Sequence, residues 1–409
     1  MSSSLSTPTV PAPVEFDPYS DVFFDSPFET YRRMRDEAPV YYNPKYDFYA
    51  LTRYDDVASA YKDTATYSSA HGASLDQVKS DEMHVRDLKL IIMMDPPEHE
   101  RMRKLISRAF TPRVIAALES TVRQQISQTL AVLNPKSFDA VADFSALFPV
   151  EIITAMLGVP PEDRQQVRQW IDLGLEREPG NMGLTQESMD AILQTGAYYY
   201  HLVQERRARP REDMISRLIE AEIDDGGKTR SLDDVEIAGF ASLLGGAGAE
   251  TVTKLVGNAV VIFAEHTEQW QLLRRDRTKI GAAVEELLRY EGPSQYNVRY
   301  TLRESTLHDT TIPAGSAVLL INGSANRDER AFPDPDRFDI NRRRKFGYNI
   351  GFGYGVHSCL GAALARLESR IALEMLLDFI PRYEVDRAGL RRVHMTNVWG
   401  WSNVPVHAP

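Results

Sequence analysis

The chain is poor in cysteine, with one in 409 residues. A lone thiol cannot close an internal disulfide, so nothing in the sequence points to an oxidising compartment. Uninterrupted apolar runs are also missing. The most apolar region, residues 237–263, is broken by Glu250 and Lys254 and falls short of the roughly 18 consecutive apolar residues that mark a membrane span. The N-terminus, MSSSLSTPTVPAPVEFDP, has no basic segment followed by an apolar stretch, so it does not read as a secretory leader. Positive charge is in deficit: 47 Lys and Arg against 58 Asp and Glu give a net charge of −11. That balance argues against nucleic acid as the main partner. Together these absences predict a cytoplasmic protein with no membrane span. With 43% apolar and 26% charged residues, a disordered or collagen-like chain is excluded.

Residues 1–15, rich in Ser, Thr and Pro, read as a flexible tail. Residues 16–409 show no linker, repeat or shift of composition, which predicts one domain, mainly α with a small β part, and a monomer. Strand-like runs are Pro39–Tyr42, Phe48–Tyr54 and Ala317–Ile321. Helical spacing of apolar residues marks Val114–Leu133, Glu151–Met156, Met189–Arg207 and a helix from about Leu360. A Pro- and Asp-rich meander runs from Phe332 to Phe338.

Two places stand out. A helix of about 30 residues is expected from a capping box at Ser231–Asp234, with Asp in the Glu position, to about His266. Its apolar residues lie on most faces, so it is a central, buried helix. Gly245, Gly246 and Gly248 sit in its middle beside Glu250 and Thr251. Each glycine costs roughly 0.5–1 kcal/mol relative to alanine in a helix interior. Three together mark a close approach to the backbone, either by another helix or by a ligand. The second place is the only cysteine, in Gly351-Phe-Gly-Tyr-Gly-Val-His-Ser-Cys-Leu-Gly361. A helix of Ala, Leu, Arg and Glu follows, so Cys359 stands at a helix N-terminus, where amide N–H groups and the dipole favour a thiolate. An inert buried cysteine is the plain alternative.

The run Phe352-Gly-Tyr-Gly-Val-His-Ser-Cys359-Leu-Gly361 resembles the haem-binding signature of the cytochrome P450 family. Ala247-Gly-Ala-Glu250-Thr251 resembles that family's oxygen-activation motif, and Glu286-Leu-Leu-Arg289 its Glu-x-x-Arg pair. The Phe332–Phe338 meander resembles the segment that supplies the pair's third member, here Arg337. Asp95–Arg103 extends the likeness upstream, so that it spans nearly the whole chain after residue 15.

The resemblance implies a single-domain fold with its long central helix over haem b, and Cys359 as the axial iron ligand. Phe352, Gly353, Gly361, Ala247 and Gly248 would lie against the cofactor, Gly248 leaving room for dioxygen. His99, Arg103, Arg299 and His357 would meet its propionates. Glu250 and Thr251 would form an acid–alcohol pair for proton delivery; the plain reading is a Thr bonded back to its own helix and a Glu in a buried ion pair. Glu286, Arg289 and Arg337 would be fold support. By family position the substrate pocket draws on the loop His71–Met94, on Leu243, Leu244 and Ala247, on Gln295, Tyr296, Asn297 and Val298, and on Val398 and Trp399. These predict an apolar pocket with a few polar handles, for a lipid-, terpenoid- or steroid-like substrate. Nothing in the chain resembles a flavin or nicotinamide site, so electrons from NAD(P)H are expected through a reductase and an acidic ferredoxin. The basic clusters Arg101–Lys104 with Arg108, and Arg342–Lys345, are its expected docking face. Direct use of peroxide and a haem sensor without turnover are the alternatives.

Overall fold

In the computed structural model, residues 12–80, 90–225, 227–343 and 348–408 are described. Five strands form a mixed sheet: β1 (Val40–Asn43), β2 (Phe48–Leu51), β3 (Tyr67–Ser68), β4 (Asn297–Thr301) and β5 (Ala317–Leu320), in the order β1-β2-β5-β4-β3. The β2–β5 pair is parallel, with Phe48 opposite Ala317; the other pairs are antiparallel. Both faces are covered. Phe48, Ala50, Val298, Ala317 and Leu319 pack with Phe16, Tyr19, Phe23 and Tyr31 on one side. Leu51, Val318 and Leu320 pack with Val57 and Tyr61 on the other. The alternation of side chains along β4 therefore sets Val298 on the first face and Asn297 and Arg299 on the second.

The rest is helical. The elements that build the site are α1 (Glu98–Ile106), α2 (Phe148–Leu157), α3 (Arg164–Leu175), α4 (Gln186–Ala208), α5 (Asp234–Glu265), α6 (Ile280–Glu291) and α7 (Ala362–Phe379). The 32-residue α5 is the axis, packed against α2, α3, α4, α6 and α7. Its N-cap is Asp233, two residues beyond the expected Ser231. The Asp233 carboxylate accepts from the Glu236 N–H at 2.8 Å, and the Glu236 carboxylate accepts from the Asp233 N–H at 2.9 Å. A glutamate spans this box where the expected one relied on a shorter aspartate.

Two stretches, Ala140–Leu157 and Asp234–Glu265, are long and apolar enough to cross a membrane, contrary to expectation, but 61% and 78% of their apolar windows are buried inside the protein. They are core helices. The tail is also shorter than expected at its end. The Ala12 carbonyl accepts from Arg33 at 2.6 Å, and Val14 packs on the aromatic side of the sheet. Residues 1–11 lie outside the described residues. The expected helix at Val114–Leu133 is two helices, Pro112–Ala117 and Glu119–Ala131.

Candidate active site

The Cys359 loop is built from tight backbone turns. Gly353 and Gly355 have φ of +67° and +69°, and a Cβ on Gly355 would stand 2.5 Å from the Tyr61 carbonyl oxygen; only glycine fits there. The loop closes when the Cys359 N–H donates to the Phe352 carbonyl at 2.9 Å. Gly361 then caps α7, and the N–H groups of Gly361 and Ala362 are turned to the Cys359 sulfur. Burial pushes the Cys359 thiol above its ordinary pKa; those two amides, with Arg103 and Arg366, pull the other way without cancelling it. The residue nevertheless counts as exposed. Protein packs closely around it, yet part of its own surface stays open. Arg366 lies over the Phe352 ring, 4.5 Å from its centroid.

Helix α5 carries one open line. Gly239, Leu243, Ala247 and Thr251 follow each other at four-residue steps. Ala247 is exposed and the other three are half-buried, in a helix most of whose residues are buried. Leu90 covers the start of the line, its Cδ2 3.2 Å from where a Gly239 Cβ would stand. The Thr251 hydroxyl donates to the Ala247 carbonyl at 3.1 Å, the helix-bonded alternative.

The glycines serve neighbouring helices. A Cβ on Gly248 would come within 2.7 Å of Ile153 Cγ1 on α2, and one on Gly245 within 2.7 Å of the Tyr199 hydroxyl on α4. The expectation that Gly248 clears a place for oxygen is therefore corrected: its missing side chain lets α2 approach. Glu250 is buried, with Lys254 Nζ at 3.1 Å one turn away. Burial pushes the Glu250 carboxyl up, but Lys254, Asp172 and Arg168 outweigh it and leave the group below its ordinary value.

The cations expected around a dianionic cofactor converge. The His99 and His357 rings lie 4.1 Å apart, centroid to centroid. His99, buried in α1, has no partner for either ring nitrogen among the described residues, and His357 has none for Nε2. Burial, with Arg103 next, holds His99 down to about 4; burial and Arg299 hold His357 down to about 3. Both rings are thus neutral N–H donors at neutral pH. Arg299 is buried, donates to the Val298 carbonyl at 2.7 Å and lies 5.4 Å over the Tyr61 ring. Neither Arg299 nor Arg103 forms an ion pair among the described residues, although the Asp95 charge acts on Arg299. A cavity of about 310 Å³ lined by His99, Glu100, Arg103, Lys104 and Val356 adjoins them. Buried His99 and Arg299 with half-buried His357 and Arg103, none of them in an ion pair among the described residues, suit a group that brings its own two carboxylates. The residues present fit haem, and Cys359 would be the ligand to its iron.

Other expected residues are placed elsewhere. Gln295 and Tyr296 are buried and turned into the protein: Gln295 donates to the Gly292 carbonyl at 2.8 Å, and the Tyr296 hydroxyl to the Thr396 carbonyl at 3.0 Å. Val298 and Leu244 are core residues. Trp399 is fully buried, its indole N–H donating to the Phe24 carbonyl at 2.8 Å. These five are corrected from pocket to framework, because strand and core packing use them first. Val398 is buried and bridges to Ser294. Asn297 donates to the Tyr61 hydroxyl at 2.7 Å, which donates to Asn322 at 2.6 Å; Tyr61 is a site residue that sequence reasoning missed. Leu243, Ala247 and Asn297 remain half-buried or exposed. Residues 81–89 of the expected pocket loop lie outside the described residues.

The fold-support triad also differs from expectation. Glu286 and Arg289 pair at 2.8 Å, but the third member is Arg342, whose Nε lies 3.0 and 3.1 Å from the two Glu286 oxygens. Arg337 is exposed and contributes only its carbonyl, an acceptor for Arg289 and Arg342. Arg342 is therefore withdrawn from the expected docking face; Arg343 stays exposed, and Arg344 and Lys345 lie outside the described residues.

The cytochrome P450 family model matches residues 184–386. A Mycobacterium tuberculosis protein carrying the name cytochrome P450 123 is 42% identical over 392 residues, 95% of this chain and 96% of that protein. Erythromycin C-12 hydroxylase of Saccharopolyspora erythraea is 38% identical over 380 residues, 92% of both chains. A cytochrome P450 of Bacillus megaterium, in a crystal structure with testosterone, superposes with a TM-score of 0.83 at 32% identity, covering 93% of this chain and 97% of that one. The cysteine loop, the central helix and the convergent cations thus meet relatives that match nearly end to end, and the chain belongs to the cytochrome P450 family.

Proposed function

We propose that this cytochrome P450 monooxygenase holds haem through Cys359, works in the cytoplasm, and inserts one oxygen atom of dioxygen into a bulky, mainly apolar small molecule. Electrons come from NAD(P)H through a reductase and an acidic ferredoxin. The observation that carries the reading is the pairing of an open, amide-facing cysteine sulfur with a cluster of His99, His357, Arg103 and Arg299, none of them in an ion pair among the described residues.

When bound, haem with a thiolate ligand supplies dioxygen reduction and cleavage of the O–O bond. The chain does the rest. The Gly361 and Ala362 N–H groups stabilise charge on the sulfur. His99, His357, Arg103 and Arg299 hold the propionates. Thr251 keeps a hydroxyl proton on the open line of α5, and Glu250, held as an anion beside Lys254, is the neighbouring carboxylate that can hand a proton on once it has taken one up. Leu90, Leu243 and Ala247 give the substrate apolar walls and exclude water. The relatives named for erythromycin and crystallised with testosterone support a large ring system as substrate. On the docking side, Lys104, Arg108 and Arg343 are exposed and suit an acidic partner.

The test is spectral first. Reduced protein treated with carbon monoxide should show the red-shifted Soret band of thiolate ligation, and Cys359→Ser should lose it together with turnover. Optical titration of the ferric enzyme with a panel of macrolides, steroids and terpenoids, followed by product analysis with NAD(P)H, ferredoxin and reductase, should identify the substrate. A parent enzyme without the thiolate band, or a Cys359→Ser enzyme with undiminished turnover, overturns the proposal.

A further inference from the structure

Across the contact between α3 and α5, Asp172 meets Glu250 within hydrogen-bonding reach. Asp172 Oδ2 is held by Arg168 at 2.6 Å. Its other oxygen, Oδ1, is buried and has no donor among the described residues, while Glu250 Oε2 has Lys254 Nζ at 3.1 Å. Two carboxyl groups within reach of each other in a buried place repel unless one proton lies between them. The Asp172 side chain is 25% exposed and that of Glu250 3%, so the pair runs from a solvent-accessible edge to the interior.

We propose that Asp172 and Glu250 share one proton and that Asp172 is the residue that reprotonates Glu250. The charged groups facing the pair set the direction. Lys254 on α5 stabilises a negative Glu250, Arg168 on α3 faces the outer edge of Asp172, and Glu176 is the next acid near Lys254. Burial and the neighbouring Glu250 charge accordingly keep the Asp172 carboxyl neutral well above the ordinary aspartate range. In the transfer, the shared proton moves from the Asp172 carboxyl to the Glu250 carboxylate, and Glu250 then passes that proton toward the Thr251 side. Asp172 is left a carboxylate beside Arg168 and takes a proton from water at its accessible edge. One proton enters for each that leaves, and no electrons move.

The relay rests on the monooxygenase reading; the shared proton does not. Infrared difference spectra of the ligand-free enzyme at pH 7 should contain a deuterium-sensitive protonated-carboxyl band that Asp172→Asn removes. A second such band, from the buried Glu368, is identified by Glu368→Gln. Asp172→Asn keeps an isosteric donor toward Glu250, so KM and the thiolate spectrum should persist while kcat falls on the order of 10-fold with a larger solvent isotope effect; Asp172→Glu should recover turnover. A protonated-carboxyl spectrum unchanged in Asp172→Asn overturns the proposal. So does a lost band with unaltered kcat and isotope effect. Failure of the haem reading shows separately, in the carbon-monoxide spectrum of the parent enzyme.

Discussion

Replacing Arg342 by alanine, with Arg337→Ala as its partner experiment, separates two readings of the meander. Arg342 Nε lies against both oxygens of Glu286, and its guanidinium also donates to the carbonyls of Pro333, Asp334 and Arg337. Its side chain is 13% exposed and that of Glu286 5%. Breaking a fully buried ion pair costs about 3–5 kcal/mol. Here Glu286 keeps Arg289 at 2.8 Å and the Asp339 N–H at 3.0 Å, so its charge is not stranded. The three carbonyls lose donors worth about 1 kcal/mol each. The expected loss is therefore about 3–4 kcal/mol. An unfolding entropy of about 2.1 cal/mol/K per residue gives ~0.9 kcal/mol/K for a chain of this length, so Tm should fall by ~3–5 °C. Arg337→Ala removes an exposed side chain and should stay within about 0.5 kcal/mol of the parent. Thermal unfolding followed together by far-ultraviolet circular dichroism and Soret absorbance measures both. An Arg337→Ala loss equal to that of Arg342→Ala, or an Arg342→Ala protein as stable as the parent, refutes the assignment.

Three more predictions concern other parts of the molecule. Gly248→Ala drives a Cβ to 2.7 Å from Ile153 Cγ1 and should destabilise by about 1–3 kcal/mol; Ile153→Ala, which removes that Cγ1, should cost less in the Gly248→Ala background than in the parent in denaturant titrations, and strictly additive losses count against the packing role. Glu368, buried in α7 with no partner for either carboxyl oxygen among the described residues, has its pKa raised well above the ordinary value by burial. The folded state then keeps a proton that the unfolded chain releases, so stability is lost as pH rises from the unfolded pKa toward the folded one. Glu368→Gln should flatten that decline in Tm between pH 5 and pH 8, and a parallel decline in both proteins contradicts it. Charge reversal at Arg108 and Arg343, both exposed, should slow reduction by an acidic ferredoxin several-fold at low salt and weaken its salt dependence, as read by stopped-flow; unchanged rates and salt dependence remove the docking proposal.

What sequence could reveal followed how locally each feature is determined. The Cys359 loop is legible because its glycines, its turn and the start of α7 lie within a dozen residues. Helix α5 is legible from apolar residues on every side, and the link from Glu250 to Lys254 follows from their four-residue spacing. The direction in which Gly248 and Gly245 face is another matter: it depends on Ile153 and Tyr199, which belong to other helices. Gln295 and Tyr296 look like polar handles by residue type, yet the chain turns both inward before β4 begins. Arg337 and Arg342 are two arginines in one irregular segment. The turn through Asp334, at a φ of 47°, is part of the path that delivers the second to Glu286. Asp172 carries no local signal; only the packing of α3 on α5 brings it to Glu250.

The parallel register of β2 with β5 has a consequence for biogenesis. A bond such as that from Trp399 to Phe24 spans 375 residues, and Tyr61 reaches Asn322 across 261. While the polypeptide is emerging from the ribosome, Phe16, Tyr19, Phe23, Phe24 and Phe48 lack β4, β5 and the Trp399 indole, which complete their cover in the folded protein. The aromatic N-terminal segment is then the stickiest part of the nascent protein, and long-range closures of this kind are slow. Chaperone capture should concentrate there, and cofactor acquisition should come late, once the segment around residue 359 has been translated and the two ends have met.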